Sequence, residues 1–315
     1  MDTFSHALLG IAVAGLSGHP LSIGDPIYVA SIIGAQAPDF DVIASVRGKL
    51  ALLRQHRAFS HSIPGLILWS GLITAGFFLA SPATAPVDVF VWSFLGGLSH
   101  SIMDFFNAHG AAVLWPFSRE RKSFSLLNVF DPLLLIIMLA VFVPGLPARE
   151  TSLLFFAVTG LYIAVRFILK LRATNRCRHH FGSNAIMRML LMPSLKSTRF
   201  WDFVIETNNH YYVGQIGVFH QAFMIHTELA KQALSPAAQG AQKTVLGEFF
   251  SSFTPFSYFT EHQDHQQHAK FVHIYDLRYF FNQTFLHSAT IIFGSDQQPC
   301  DSYIKTYGQK IKIPC

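Results

Sequence analysis

Histidines and aspartates occupy costly positions in this 315-residue sequence. His6 lies in Phe-Ser-His-Ala-Leu-Leu-Gly, Asp39 and Asp41 in Ala-Pro-Asp-Phe-Asp, and His56, Arg57 and His61 in Gln-His-Arg-Ala-Phe-Ser-His-Ser. His100 and Asp104 lie in Ser-His-Ser-Ile-Met-Asp, with His109 downstream. All border or enter apolar runs, where an ionisable group costs at least about 2–3 kcal/mol unless it is paired or bound to metal. His100 and Asp104 are i and i+4, so a helix sets both on one face, one turn apart, as two ligands of one ion require. His56 and His61 would stand about 140° apart on a continuous helix, so they share a site only if one lies in a loop. Ser62 as a cap and Pro64 in the first turn start the helix near Ser62, which leaves His56 in the loop. Cys177, Cys300 and Cys315 are too scattered for a thiolate site. A set of imidazole nitrogens and carboxylate oxygens suits zinc best, with manganese or iron as alternatives. Each signal also has a plainer meaning: His6 as an interfacial histidine, His100–Asp104 as a hydrogen-bonded pair, Asp39 as a turn cap, and Asp131-Pro132 as a helix start. Their common location favours a metal site.

The elements that must position them are membrane helices. Charged residues make up 13% of the chain and apolar residues 51%, against about 25% charged in a soluble domain. Segments 63–80, 87–106, 129–146 and 152–169 approach the roughly 20 apolar residues of a spanning helix. Segments 4–16 and 27–37 are shorter, which suits tilted, re-entrant or buried helices. The expected fold is an α-helical polytopic membrane domain of about six membrane-associated helices, residues 1–172, followed by a small α+β cytoplasmic domain, residues 173–315. Arg47, Lys49, Arg54 and Arg57, then Arg119, Arg121 and Lys122, then Lys170, Arg172, Arg176 and Arg178 fall in alternate loops, whereas the opposite loops hold Arg149 alone. By the positive-inside rule the basic loops and both termini are cytoplasmic, with Arg166 snorkelling to the same face. His6, Asp39, His61, His100 and Asp104 all sit at ends assigned to that face, so they converge on one layer.

In the C-terminal part, residues 170–191 read as a basic helix ended by Pro193. Residues 200–207 and 211–219 read as a hairpin turning at Asn208-Asn209, 226–234 as a short helix, and 290–293 and 303–313 as strands. His262, His265 and His268 recur every three residues and read as a solvated polar face. The basic stretch from Lys170 to Arg178 lies beside a membrane helix and suits anionic headgroups; no nucleic-acid partner is expected.

The N-terminal decapeptide Met-Asp-Thr-Phe-Ser-His-Ala-Leu-Leu-Gly, Ile-Gly-Ala-Gln-Ala-Pro-Asp-Phe-Asp, His-Arg-Ala-Phe-Ser-His-Ser and His-Ser-Ile-Met-Asp together resemble the bacterial membrane-bound metal-dependent hydrolases of the YdjM/YfhP type, over roughly residues 1–135. Those in turn are distantly similar to zinc-dependent phospholipase C and the single-strand-specific zinc nucleases. The resemblance implies His6, Asp39, His61, His100, Asp104 and His109 as metal ligands, and places His56 and Arg57 in the same motif. The downstream His-x-x-x-Glu of the soluble phospholipases has no counterpart, so one or two metals are expected rather than three. The expected activity is metal-dependent hydrolysis of a phosphoester in a lipid or lipid-linked substrate, at the cytoplasmic face of a bacterial inner membrane. Arg57 would hold the phosphate, and Asp41 would orient water as general base or accept from a ligand histidine, with His56 the third catalytic candidate. The alternative is a non-enzymatic membrane protein in which a metal or His/Asp cluster staples helices and the cytoplasmic domain binds a partner. Ion transport would need polar residues through the bilayer depth, which the apolar middles of segments 63–80, 129–146 and 152–169 oppose.

Overall fold

The computed structural model describes residues 1–40, 59–108, 110–112, 115–118, 121–142, 145–195, 197–219, 222–264, 269–294, 296–306 and 308–313. Asp41, His56, Arg57, His109, His265 and His268 lie outside the described residues. The chain divides into two compact units, residues 1–172 with 192–198, and 173–191 with 199–315.

The first unit is helical, as the apolar runs require. Its helices are α1 (Thr3–Gly15), α2 (Pro26–Gln36), α3 (Ile63–Ala80), α4 (Pro86–Phe106), α5 (Pro132–Ala140) and α6 (Ala148–Phe181), whose last turns pass into the second unit. Their starts are written in the sequence. Asp2, Asp25, Ser62 and Asp131 cap α1, α2, α3 and α5 by accepting a backbone N–H, and proline occupies the first turn of α2, α3, α4 and α5. Among the described residues three helices, α3, α4 and α6, are long and apolar enough to cross a membrane. The 129–146 segment is shorter than its apolar run suggested: α5 has nine residues, a rise of about 14 Å against a hydrocarbon core of about 30 Å.

Helices α1, α2 and α4 pack through small residues. A Cβ on Gly34 would lie 2.0 Å from the Ser93 carbonyl oxygen, and one on Gly96 2.2 Å from that of Ser31. Only glycine permits this approach of α2 to α4, the kind of seam membrane helices use in the absence of a hydrophobic drive between them. Ser31 Oγ adds a hydrogen bond to the Gly10 carbonyl, 2.8 Å.

Two basic side chains act differently from expectation. Arg166 does not snorkel. It is buried and donates through Nε to the Leu126 carbonyl (3.1 Å) and through a terminal nitrogen to that of Thr198 (3.1 Å). One turn on, Lys170 donates to the Phe124 carbonyl at 2.6 Å rather than facing headgroups. One turn earlier, Tyr162 donates to Asp131 at 2.9 Å. Arg166 and Lys170 fasten the segment after α4, whose backbone carbonyls need donors that lipid cannot supply, and Tyr162 holds the carboxylate that caps α5.

The second unit is sheet-rich. Helix α6 continues to Phe181 and stops at Gly182, whose φ of +77° no helix interior adopts; the segment before Pro193 is therefore a strand, not helix. A four-stranded sheet follows in the order β1 (Arg188–Pro193), β2 (Phe200–Glu206), β3 (His210–Gly217), β4 (Phe223–Ala230). The hairpin at Asn208-Asn209 is as expected, with Glu206 paired to Tyr211. Of residues 226–234, expected as helix, 226–230 belong to β4 and 231–234 are irregular: antiparallel pairing with β3 overrides the local preference of Glu228, Leu229 and Ala230.

After α7 (Pro236–Gln242) and α8 (Val245–Phe253), a second sheet runs in the order β11 (Gln309–Ile313), β10 (Pro299–Thr306), β9 (His287–Phe293), β6 (Ala269–Asp276), β5 (Ser257–Asp264), with a short hairpin β7 (Phe280–Phe281) and β8 (Thr284–Phe285). The run 303–313 is thus two strands, and His262 lies in β5 rather than on a helix. Alternation buries Val272, Ile274, Ala289, Ile291 and Ile304, to which α8 adds Leu246 and Phe250.

Candidate metal centre

Three elements of the first unit bring four of the expected residues together. Asp39 stands in the helical turn 37–40 that follows α2, and His61 ends a 3-10 turn, Phe59–His61, just before α3. His100 and Asp104 stand on consecutive turns of α4. His61, His100 and Asp104 are wholly buried, and the Asp39 side chain is 27% exposed.

The ligand atoms converge. His61 Nε2 and His100 Nε2 are 3.2 Å apart. Asp39 Oδ1 lies 3.7 Å from the first and 3.6 Å from the second. Asp104 Oδ2 lies 3.5 and 3.7 Å from the same two nitrogens. All four atoms fall within 4.8 Å of one another. A tetrahedral ion with ligand bonds of about 2.0–2.1 Å separates its ligands by about 3.3–3.4 Å. The five separations given, 3.2–3.7 Å, therefore match those in one tetrahedral coordination shell to within a few tenths of an ångström.

The groups behind the ligands fit the same purpose. His100 Nδ1 lies 2.7 Å from the Ala35 carbonyl. A carbonyl only accepts, so Nδ1 carries the proton and Nε2 presents its lone pair to the cluster. His61 Nδ1 lies 2.9 Å from Ser60 Oγ, and Ser101 Oγ donates to the His61 carbonyl at 3.1 Å. The Ala35 carbonyl reaches His100 because Gly34 and Gly96 allow α2 and α4 to touch.

His6 has a different setting. Its ring stacks on His100 with centroids 3.6 Å apart, and its Nε2 lies 3.5 Å from Asp104 Oδ1, the oxygen turned away from the four-atom cluster. The amino group of Met1 lies 2.9 Å from the same Nε2 and contacts Asp104 Oδ1. Among the described residues His6 Nδ1 is buried without a hydrogen-bond partner, unlike the Nδ1 atoms of His61 and His100.

Sequence reasoning passed over Ser60 and Ala35. The first has a partial signal, since serine directly precedes histidine at positions 5, 60 and 99. Only Ser60 turns to its neighbour's ring; Ser5 bonds Asp2 and Ser99 the Gly96 carbonyl. A backbone carbonyl such as that of Ala35 leaves no trace in composition or spacing.

Residues 1–173 match the family model described as YdjM inner membrane protein. The chain belongs to this family. It is a membrane protein, and the lipid bilayer is its surrounding partner. Residues 236–312 match a second model, the YfhP C-terminal alpha/beta plait domain. A Bacillus subtilis (strain 168) relative described as uncharacterized protein YfhP is 32% identical over 225 residues, 68% of each chain. No solved structure matches significantly. The family fits the helical first unit with its His/Asp group, which has the donors to hold a divalent metal.

Proposed function

We propose that the protein is a membrane-embedded metal-dependent hydrolase of phosphoester bonds in a lipid or lipid-linked substrate, acting at the cytoplasmic face. The observation that carries this reading is the convergence of Asp39, His61, His100 and Asp104, buried on three sides and open at Asp39. These four residues would hold a divalent ion, zinc being the best fit to two imidazoles and two carboxylates at this spacing. When bound, such an ion supplies Lewis-acid chemistry and a nucleophile usable at neutral pH. Ser60 and the Ala35 carbonyl orient the two imidazoles. Asp41 and Arg57, two and four residues from Asp39 and His61, are proposed as the general base and the phosphate-holding cation, with His56 beside them. His6 buttresses Asp104 through its other oxygen, and His109 is a further proposed ligand.

A second reading has a specific observation in its favour. Four protein ligands at tetrahedral spacing describe a closed, structural zinc site, whereas a catalytic site keeps a position open. The partial exposure of Asp39, on a short turn after α2, supports the catalytic reading, since a carboxylate there could give up its place to a substrate.

Screening the metal-loaded protein in mild detergent against phosphodiesters and lipid extracts tests the proposal. Metal-dependent release of a phosphorylated product, abolished by Asp104→Ala, is expected. Hydrolysis confined to peptides or amides would refute the substrate class, and full metal content with no hydrolysis of any kind would favour the structural reading.

A further inference from the structure

Helix α4 carries a further polar group on the face that bears His100 and Asp104. Asn107 follows Asp104 by three residues, so its Cβ falls about 20° from that of His100 round the helix, with Asp104 about 40° to the other side. It is the C-cap, but its φ of −75° is still helical; only ψ, 155°, departs. The side chain therefore continues the face of the two ligands. Its backbone is satisfied: the N–H donates to the Asp104 carbonyl at 3.2 Å, and its carbonyl accepts from Ser123 Oγ.

The carboxamide is another matter. Asn107 is 0% exposed, and neither Nδ2 nor Oδ1 has a hydrogen-bond partner among the described residues. Burying a primary amide with nothing to bond forfeits its solvation without return. A leucine or methionine at this position would fill the same space at no such cost, so the amide is retained at the expense of stability. Such groups are expected where a ligand completes them.

The chemistry of the neighbouring cluster indicates which ligand. A dication with the two carboxylates of Asp39 and Asp104 is neutral as a set, so an oxyanion arriving there needs hydrogen-bond donors as well as the ion. The Nδ2 group offers two N–H donors without adding charge. We infer that Asn107 is a substrate-binding residue whose carboxamide donates to a phosphoryl oxygen of the bound ligand. This inference rests on the phosphoester reading of the site.

The test uses the full chain in detergent, with metal content measured beside the binding of inorganic phosphate by calorimetry. Asn107→Ala and Asn107→Leu are expected to keep their metal and to weaken phosphate binding about tenfold or more, the loss of one hydrogen bond to a charged group. Asn107→Asp should weaken it further, since a carboxylate repels the anion. Asn107→Leu should also raise the melting temperature, because the unsatisfied amide is gone. Phosphate affinity within twofold of the native protein in Asn107→Leu, with metal retained, would overturn the inference and leave Asn107 a structural oddity. Loss of metal in Asn107→Ala would also overturn it, placing the residue in the coordination of the ion. Native protein that holds metal, binds no phosphate and hydrolyses no phosphoester would overturn the phosphoester reading and this inference with it.

Discussion

The two units bury the same residue types in opposite ways. Among the described residues of the second unit, the buried charges meet their own counter-charges. Asp276, at the end of β6, accepts from Arg278 Nε at 2.9 Å and from Thr254 Oγ1 at 2.7 Å, while Arg278 also reaches the Phe253 carbonyl and packs over the rings of Phe253 and Tyr279. His273 and His287 likewise have local partners, the hydroxyls of Thr290 and Thr306, each at 2.9 Å. In the first unit two imidazoles and two carboxylates instead turn their acceptor atoms towards one point. Paired groups are a device for stability; convergent acceptors are a device for holding a cation. The contrast separates a structural histidine from a candidate ligand more sharply than burial does, since both kinds are buried.

Breaking the paired arrangement should have the largest effect on stability. Asp276→Ala leaves the Arg278 guanidinium buried without its carboxylate, and should cost about 3–5 kcal/mol. Chemical denaturation followed by Trp201, buried in β2 of that unit, would show it. Metal content should survive unless the first unit depends on the second for its fold, and a parallel loss of metal would show that the units are not separable in this way.

The convergent arrangement should instead be sensitive to helix approach. Gly34→Ala sets a methyl group 2.0 Å from the Ser93 carbonyl oxygen, where no side chain can yield. Pushing α2 from α4 should cost about 1–3 kcal/mol and withdraw the Ala35 carbonyl from His100, lowering metal affinity as well as the melting temperature. Affinity unchanged in the face of a lowered melting temperature would separate the seam from the site.

Ser60→Ala is a finer probe. Loss of a group that orients a ligand imidazole lowers metal affinity by about 10–100-fold, with little change in global stability. Ser60→Thr, which keeps the hydroxyl, should restore most of it. Competition with a chelator of known affinity would measure both.

The smallest effect concerns pH. Burial pushes the His287 pKa below its ordinary value, although Asp276 nearby opposes the shift. A histidine with a depressed folded-state pKa contributes stability that is complete above about 6.5 and is lost as pH falls from there through the folded value. Thermal melts between pH 7.5 and 5 should therefore decline more gently in His287→Gln than in the native protein. Identical slopes would remove His287 as a source of the acid sensitivity.

Much of the helical unit was legible because membrane helices announce themselves by apolar length, and because Asp-Pro and Ser-x-Pro starts are local chemistry. The candidate site was legible for a related reason: acids and histidines at apolar ends are expensive, so their clustering at one face is informative in itself. Spacing alone could pair only His100 with Asp104. Asp39 and His61 joined them through turns whose geometry depends on α2 and α4 touching at Gly34 and Gly96, a tertiary contact no local pattern encodes. The same limit explains β4, where a neighbouring strand decided between two local preferences, and Arg166, which found backbone carbonyls to bind before it could reach the interface.

Metal content of the purified full-length protein tests the central claim most directly, measured by mass spectrometry beside His100→Ala and Asp104→Ala. The proposed site predicts about one divalent ion per native chain, zinc before manganese or iron. Both variants should lose it while remaining inserted in the membrane. A native protein that carries no metal after purification and takes up none on reconstitution would contradict the claim, as would variants that keep their metal in full.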